Sequence, residues 1–556
     1  MPTVNIKLSD LLKLSGCYVS AAELAEVLEQ VKVEVKSVSG DDVVVEITSD
    51  RPDMFSVEGI ARQLRAFMKL QSGGFGYTTV RSPPEFKVLV DSSVKKVRPY
   101  VMCGAVVGCN LGDEGFRQLI QLQEVLHKTH GRNRRKFAIG IHNLDVVKPP
   151  INYVAKPFRD FSFKPLDSEE EMTGEEILER TSKGVEYGWI IKGSGLAPLL
   201  IDDKGDVLSM PPIINADLTK VGPDTTNILI DVTGTNLKAV EEALVILATS
   251  LAERGGKIVQ FVVIDGDDSR LVPNLTPQRM RVRLKSLIEV TGLDVSMDDA
   301  IKCLRKAGLD AYEVNDELEV IIPPYRVDII EEVDVAEELA IGYGYANIKP
   351  LIPPVTTRGG ELEMTVFSKL CRDLMVGFGY QEVISYMFTS DKQLDIALAP
   401  KGRVKVLKPV SSDYTCLRTS LIPPLLSFLS ENTHVEYPQR IFEVGDIALL
   451  DEKPEVKSVF ERRMAALYAD HRVSYEDIQA VLYSFLRVLG VNFTAKPGLV
   501  ELMIKGRCGI IEVNGVQVGY LGEVRPDVLL SFGLQIPVAA FEVSLTKLLE
   551  AKGRKH

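Results

Sequence analysis

The run Pro323-Pro324-Tyr325-Arg326-Val327-Asp328, continuing through Ile329 to Tyr345, constrains the fold more than any other stretch of this 556-residue chain. Paired prolines cannot donate backbone hydrogen bonds and push their neighbours out of the helical region, so Tyr325 to Asp328 is expected to be extended. A helix can then begin near Ile330 and stop at Gly342, because glycine accepts a left-handed cap. On that helix Asp334, Glu337 and Glu338 fall at i, i+3 and i+4 and share one side, with Asp328 at the entrance. Four carboxylates without His or Cys make an oxygen-only set, suited to Mg²⁺ and unsuited to zinc. The alternative is a solvated acidic face, and Arg326 is an internal rival that could neutralise one carboxylate without any metal. Glu331 and Glu332 read as helix-start charges that favour the N-terminal dipole.

The order of the segment narrows the choice. An extended P-x-R-x-D-I, then E-x-D-x-x-E-E-L, then G-Y resembles a module in the β subunit of phenylalanyl-tRNA synthetase. That resemblance implies that Asp328, Asp334, Glu337 and Glu338 contribute to a Mg²⁺ site near the junction with a catalytic α subunit.

Composition permits this and excludes competitors. The length suits three to five domains. No uninterrupted apolar span of about 18 residues is present, and the start Met1-Pro2-Thr3-Val4-Asn5-Ile6-Lys7 lacks an apolar signal core, so a cytoplasmic location and no membrane partner are expected. Seven cysteines without a C-x-x-C pair point to free thiols in cores. A formal charge of −12 means that a tRNA partner must meet local basic patches or another subunit's surface.

The fold class expected is α+β and multidomain. Residues 1–85 read as an N-terminal α/β unit, with Val57, Ile60, Leu64 and Phe67 as a helical core stripe. The Ser49–Arg62 run, S-D-R-P-D-x-x-S-x-x-G-x-A-R, is a signature shared with the family, and the sequence gives it no chemical role. In residues 86–270 the apolar strand Tyr100–Val107 precedes a helix over about 114–129. A turn then carries five Lys or Arg within nine residues, 128–136, as either a solvated loop or a phosphate contact. Asn227–Asn236 reads as a strand and turn, and Leu237, Val240, Leu244, Leu247 and Leu251 as a helix stopped by Gly255-Gly256. Asp231 can be a plain turn former. The resemblance instead makes I-I-N and I-D-V-T-G-T the lining of a tRNA-editing domain, with Asp231, Thr233 and Asn215 in its pocket and Ser209 a further candidate.

Residues 271–350 hold a strand, two helices and a hairpin around Asn315-Asp316, suggesting a winged-helix-like module that contains the acidic segment. Residues 355–550 are strand-rich, with expected strands including Val404–Val410, Arg440–Leu450 and Val538–Val543, which suggests a mostly antiparallel sheet. C-L-R-T-S-L-I-P-P from Cys416 and R-I-F-E-V-G-D from Arg440 resemble the family's second, class II synthetase-like fold. Such folds close an ATP site with a late Gly-rich strand and helix ending in Arg, and Ala539–Thr546 has neither residue type. A catalytically inactive domain and α-subunit interface follow, and the short C-terminal tail points to the archaeal or eukaryotic subtype. No G-x-x-x-x-G-K-[ST], H-E-x-x-H or G-x-S-x-G motif is present.

The resemblance thus implies a β subunit that edits mischarged tyrosyl-tRNA(Phe). An α subunit would bind ATP and attach phenylalanine to tRNA(Phe), the two chains forming an α2β2 heterotetramer. A non-catalytic scaffold and a free-standing winged-helix nucleic-acid binder are the rival readings.

Overall fold

A computed structural model describes residues 1–17, 20–68, 76–353, 355–453 and 455–552. They form two compact units, Met1–Ile352 and Pro353–His556.

The first unit opens with a three-stranded antiparallel sheet in which Asp42–Ile47 lies between Thr3–Lys7 and Val33–Ser39. The amphipathic helix Val57–Phe67 is buried along nearly its whole length. Next comes an eleven-stranded sheet. At its centre Ile228–Gly234 pairs antiparallel with both Tyr100–Val107 and Phe137–Asn143. The helix Leu237–Ala252 covers these strands with Val240, Leu244, Leu247 and Leu251, the stripe expected from the sequence. The chain then builds a smaller three-stranded sheet, Gln278–Val282, Glu317–Ile322 and Asp310–Val314, with helices Leu284–Thr291, Met297–Lys306 and Glu332–Tyr343.

This last helix departs from expectation at its end. Gly342 lies inside it, and Gly344, at φ +93°, follows it. A Cβ on Gly342 would stand 1.9 Å from the Cys303 carbonyl oxygen, so the glycine serves the close approach of helix Met297–Lys306.

The second unit is a seven-stranded sheet, antiparallel except where Gln381–Glu382 pairs parallel with Gln439–Leu450. Helices Glu363–Gly377, Tyr475–Val488 and Leu545–Lys552 pack on one core and Ile422–Glu431 on another. The strand expected at Val404–Val410 does not form. Only a bridge from Lys405 to Cys416, on the two-residue strand Cys416–Leu417, is present, and beyond it Leu407 and Val410 are fully exposed. No helix among the described residues is long and apolar enough to cross a membrane.

Candidate functional site

Strand register assembles the main site. Asp231 lies opposite Gly140, and Leu229 opposite His142, so Asp231 and His142 are diagonal neighbours on one face. Asp231 Oδ1 and His142 Nε2 are 2.7 Å apart, and His142 Nδ1 is 2.7 Å from Thr219 Oγ1. All three side chains are buried. Gly140 is the condition for this contact: a Cβ there would lie 2.0 Å from Asp231 Oδ1 and 2.7 Å from His142 Nε2.

Ser209, Asn215 and Asp231 line a cavity of about 20 Å³, room for about one water molecule. The Ser209 hydroxyl is buried and has no hydrogen-bond partner, which marks a place where a ligand or water must satisfy it. Asn215 is fixed by donating its side-chain N–H to the Ile141 carbonyl at 3.1 Å. Arg134, Ile139, Ile213, Ile214 and Asn215 also line an adjoining cavity of about 660 Å³, within the size range of small-molecule sites. Thr233 is on the same strand face as Asp231 but not on the cavity wall. Its hydroxyl oxygen accepts from Arg98 Nε at 3.0 Å and its carbonyl from Nη2 at 2.8 Å. Burial lowers the Arg98 pKa to about 10, while the Asp231 charge opposes that shift.

The basic turn divides into two roles. Arg134, at φ +62°, points inward and donates to the carbonyls of Pro212 and Ile213 at 3.1 and 2.9 Å, holding the loop between Ser209 and Asn215. Lys128, Arg132 and Arg135 are exposed. Beneath the turn, buried His127 accepts the Ile139 N–H at Nε2, 2.8 Å away, and must be neutral at that atom. Burial pushes its pKa down to about 4. The unfolded chain, with an ordinary histidine near 6.5, takes up a proton first. Stability therefore falls by ~3 kcal/mol in all as pH drops from about 6.5 to about 4. Melting temperatures should fall between about pH 7 and pH 5, and His127→Gln should reduce that difference; an unchanged difference would assign the acid sensitivity elsewhere.

The acidic segment corrects its own spacing argument. Arg326 binds both oxygens of Asp328, at 2.9 and 2.7 Å, and reaches Glu338 at 2.7 Å. Asp334 accepts the Ile330 and Glu331 N–H groups at 2.7 and 2.8 Å, and Glu337 pairs with Lys32 at 2.8 Å. The four carboxylates thus spend their charge on three different jobs: Asp328 and Glu338 on Arg326, Asp334 on the helix start and Glu337 on Lys32. No cluster of three or more His, Cys, Asp or Glu among the described residues could hold a metal ion. Within this chain the segment does not fit Mg²⁺ held by all four.

The Ser49–Arg62 signature gains a role here. Arg51 grips Asp53 through two hydrogen bonds, at 2.9 and 3.0 Å, and lies 4.0 Å from Asp328. The guanidinium of Arg62 stacks 3.6 Å from the Tyr325 ring centre. The signature fastens the N-terminal unit to the Tyr325–Asp328 segment, which is not extended as expected: the chain turns at Pro324-Tyr325, with the Arg326 N–H donating to the Pro323 carbonyl at 2.9 Å.

Comparison with known proteins agrees with this architecture. Residues 280–345 match the tRNA synthetase B5 domain and residues 348–545 the phenylalanyl tRNA synthetase beta chain CLM domain. These two modules define an aminoacyl-tRNA synthetase subunit. The chain is 41% identical over 555 residues to the phenylalanine–tRNA ligase beta subunit of Korarchaeum cryptofilum, covering 98% of each. It is 41% identical over 559 residues to that of Pyrococcus abyssi, covering 99% of this chain and 100% of the relative. The crystal structure of an N-terminal fragment of the phenylalanyl-tRNA synthetase beta subunit from Pyrococcus horikoshii superposes with a TM-score of 0.60 at 38% identity. It covers 62% of this chain and 99% of that one. The chain belongs to the phenylalanine–tRNA ligase beta subunit family.

Proposed function

We propose that this chain, joined to an α subunit, supports ATP-dependent attachment of phenylalanine to tRNA(Phe) and hydrolyses tyrosine wrongly attached to that tRNA. One observation carries the editing half: Asp231, the orphaned Ser209 hydroxyl and Asn215 line one small cavity, and Asn215 also lines the larger cavity beside it. Tyrosine exceeds phenylalanine by one hydroxyl, so a proofreading pocket must reward that group. Asp231 accepts a hydrogen bond from it, whereas phenylalanine would leave buried polar groups unpaired. The ester stays in the outer cavity, where water adds to the carbonyl and releases tyrosine and the tRNA hydroxyl. Lys128, Arg132 and Arg135 on the adjacent turn supply the local positive charge that tRNA phosphates need.

ATP is assigned to the α subunit. In the second unit Arg463 lies between Glu461, at 2.9 Å, and Glu542, at 3.4 Å, so this half-buried cation is already neutralised. The assembly proposed is an α2β2 heterotetramer in the cytoplasm. Magnesium is proposed only as a site that the partner completes. Glu337, its side chain 47% exposed, is the donor open to it, and Asp328 and Glu338 would have to leave Arg326.

The test is the purified α and β pair. It should charge tRNA(Phe) with phenylalanine and hydrolyse tyrosyl-tRNA(Phe), and Asp231→Ala should abolish the second activity alone. Intact hydrolysis in that variant would reduce Asp231 to a packing residue. Absent hydrolysis in the parent pair would leave a scaffold. Calorimetric titration of the pair with Mg²⁺ should give an isotherm weakened by Glu337→Gln, and a flat isotherm removes the metal from the reading.

A further inference from the structure

Asp231 does not stand alone: behind it His142 lines neither cavity, and Thr219, on the far side of His142, lines the larger one. His142 is fully buried and bridges Asp231 to Thr219, with 2.7 Å on each side. Proton counting restricts what this chain of contacts can be. An ionised Asp231 can only accept, so Nε2 of His142 must carry a proton. Thr219 can donate its hydroxyl proton to Nδ1, leaving a neutral imidazole. It can instead donate to the Ala216 carbonyl at 3.3 Å, and then Nδ1 is also protonated. In both arrangements the hydrogen bond runs from His142 to Asp231 Oδ1 and fixes the carboxylate's rotation.

Arg98 is buried, and its hydrogen-bond partners, the Thr233 hydroxyl and carbonyl and the Arg134 carbonyl, are all uncharged. The Asp231 charge acts on this guanidinium without a direct hydrogen bond. Gly140 clears the space in which Oδ1 meets the imidazole. With Oδ1 committed to His142, the second carboxylate oxygen is the one left to receive a proton donor from the cavity.

We infer that His142 and Thr219 are positioning residues, which lock the Asp231 carboxylate so that its other oxygen serves as the acceptor for a phenolic hydroxyl. This rests on the editing reading given above. An acceptor fixed in advance loses no rotational freedom when tyrosine arrives, and outer partners of this kind commonly govern about 10–100-fold in binding or activity.

The experiment measures hydrolysis of tyrosyl-tRNA(Phe) and phenylalanyl-tRNA(Phe) by the full-length chain paired with its α subunit. His142→Ala should slow tyrosyl hydrolysis by about 10–100-fold and leave the slow phenylalanyl background unchanged, because only the hydroxyl-bearing substrate uses the acceptor. His142→Gln can still donate to Asp231 and should retain most of the rate. Thr219→Val should fall between them. A rate for His142→Ala within about twofold of the parent, with Asp231→Asn inactive, overturns the positioning role but keeps the site. If Asp231→Asn also edits normally, both the role and the editing reading fall. Equal loss in His142→Ala and His142→Gln, with unchanged melting temperature, overturns the hydrogen-bond argument.

Discussion

Exchanging Arg326 for methionine should destabilise the Met1–Ile352 unit by about 3–5 kcal/mol, the usual consequence of removing one partner from a buried ionic cluster. The side chains of Arg326, Asp328 and Glu338 are 1%, 8% and 2% exposed. Burial alone would raise the Asp328 pKa, yet the Arg326 guanidinium outweighs it and holds that carboxyl well below the ordinary range. Methionine fills the volume but strips both carboxylates of their hydrogen-bonded cation, leaving Arg51, 4.0 Å from Asp328, as a more distant charge. They would have to take up protons or draw in water, and either cost falls on the folded state. Combining Arg326→Met with Asp328→Asn and Glu338→Gln should recover part of the loss, since the orphaned charges disappear with the cation. Melting and limited proteolysis of the full-length chain read both effects. A loss below about 1 kcal/mol in the single variant would mean that the cluster is solvated rather than buried.

That cluster also shows why the acidic segment was legible in part. Spacing placed Asp334, Glu337 and Glu338 on one helix, and the helix forms as Glu332–Tyr343. Spacing could not show which cations arrive from elsewhere. Lys32, from the turn just before the strand Val33–Ser39, takes Glu337, and Arg51 approaches Asp328 from the Ser49–Arg62 signature. Those meetings are tertiary and leave no periodic trace.

The candidate site divides the same way. Ser209, Asn215 and Asp231 were named from a resemblance, and the structure brings them to one cavity from three strands, Val207–Met210, Ile214–Asn215 and Ile228–Gly234. His142 and Gly140 were passed over. Their only signal is a histidine and a glycine alternating on one face of an otherwise apolar strand, Phe137–Asn143. Its meaning appears once the register with Ile228–Gly234 is known. Val404–Val410 failed for the opposite reason: its residues suit a strand, but β-structure needs a partner edge, and the one that Lys405 bridges, Cys416–Leu417, is two residues long.

Charging the outer face of helix Glu363–Gly377 should abolish assembly and, with it, phenylalanine charging. This helix is apolar on two sides. Phe367, Cys371 and Met375 point into the core, while Val366 and Leu370, 53% and 46% exposed, follow Leu362, 78% exposed, at successive four-residue steps. A helix that needs only one buried side places polar residues on the other, so a second apolar stripe calls for a second covering surface. Under the proposed function that surface is the α subunit. Val366→Asp with Leu370→Asp would bury two carboxylates at the centre of such a contact, where an unpaired charge cannot be tolerated without dissociation. Gel filtration should then resolve the β chain from α, and exchange of phenylalanine-dependent pyrophosphate into ATP should disappear from the β fraction. The variant should keep its own melting temperature, because neither side chain contributes to the unit's core. Persistence of the complex would place the α contact elsewhere. Self-association of the parent chain, relieved by the same two substitutions, would make a second β chain the partner of this stripe. In either case Glu542, already holding the Ser420 and Tyr520 hydroxyls at 2.6 and 2.8 Å, leaves the β unit without an unengaged group at that position to bind adenylate chemistry of its own.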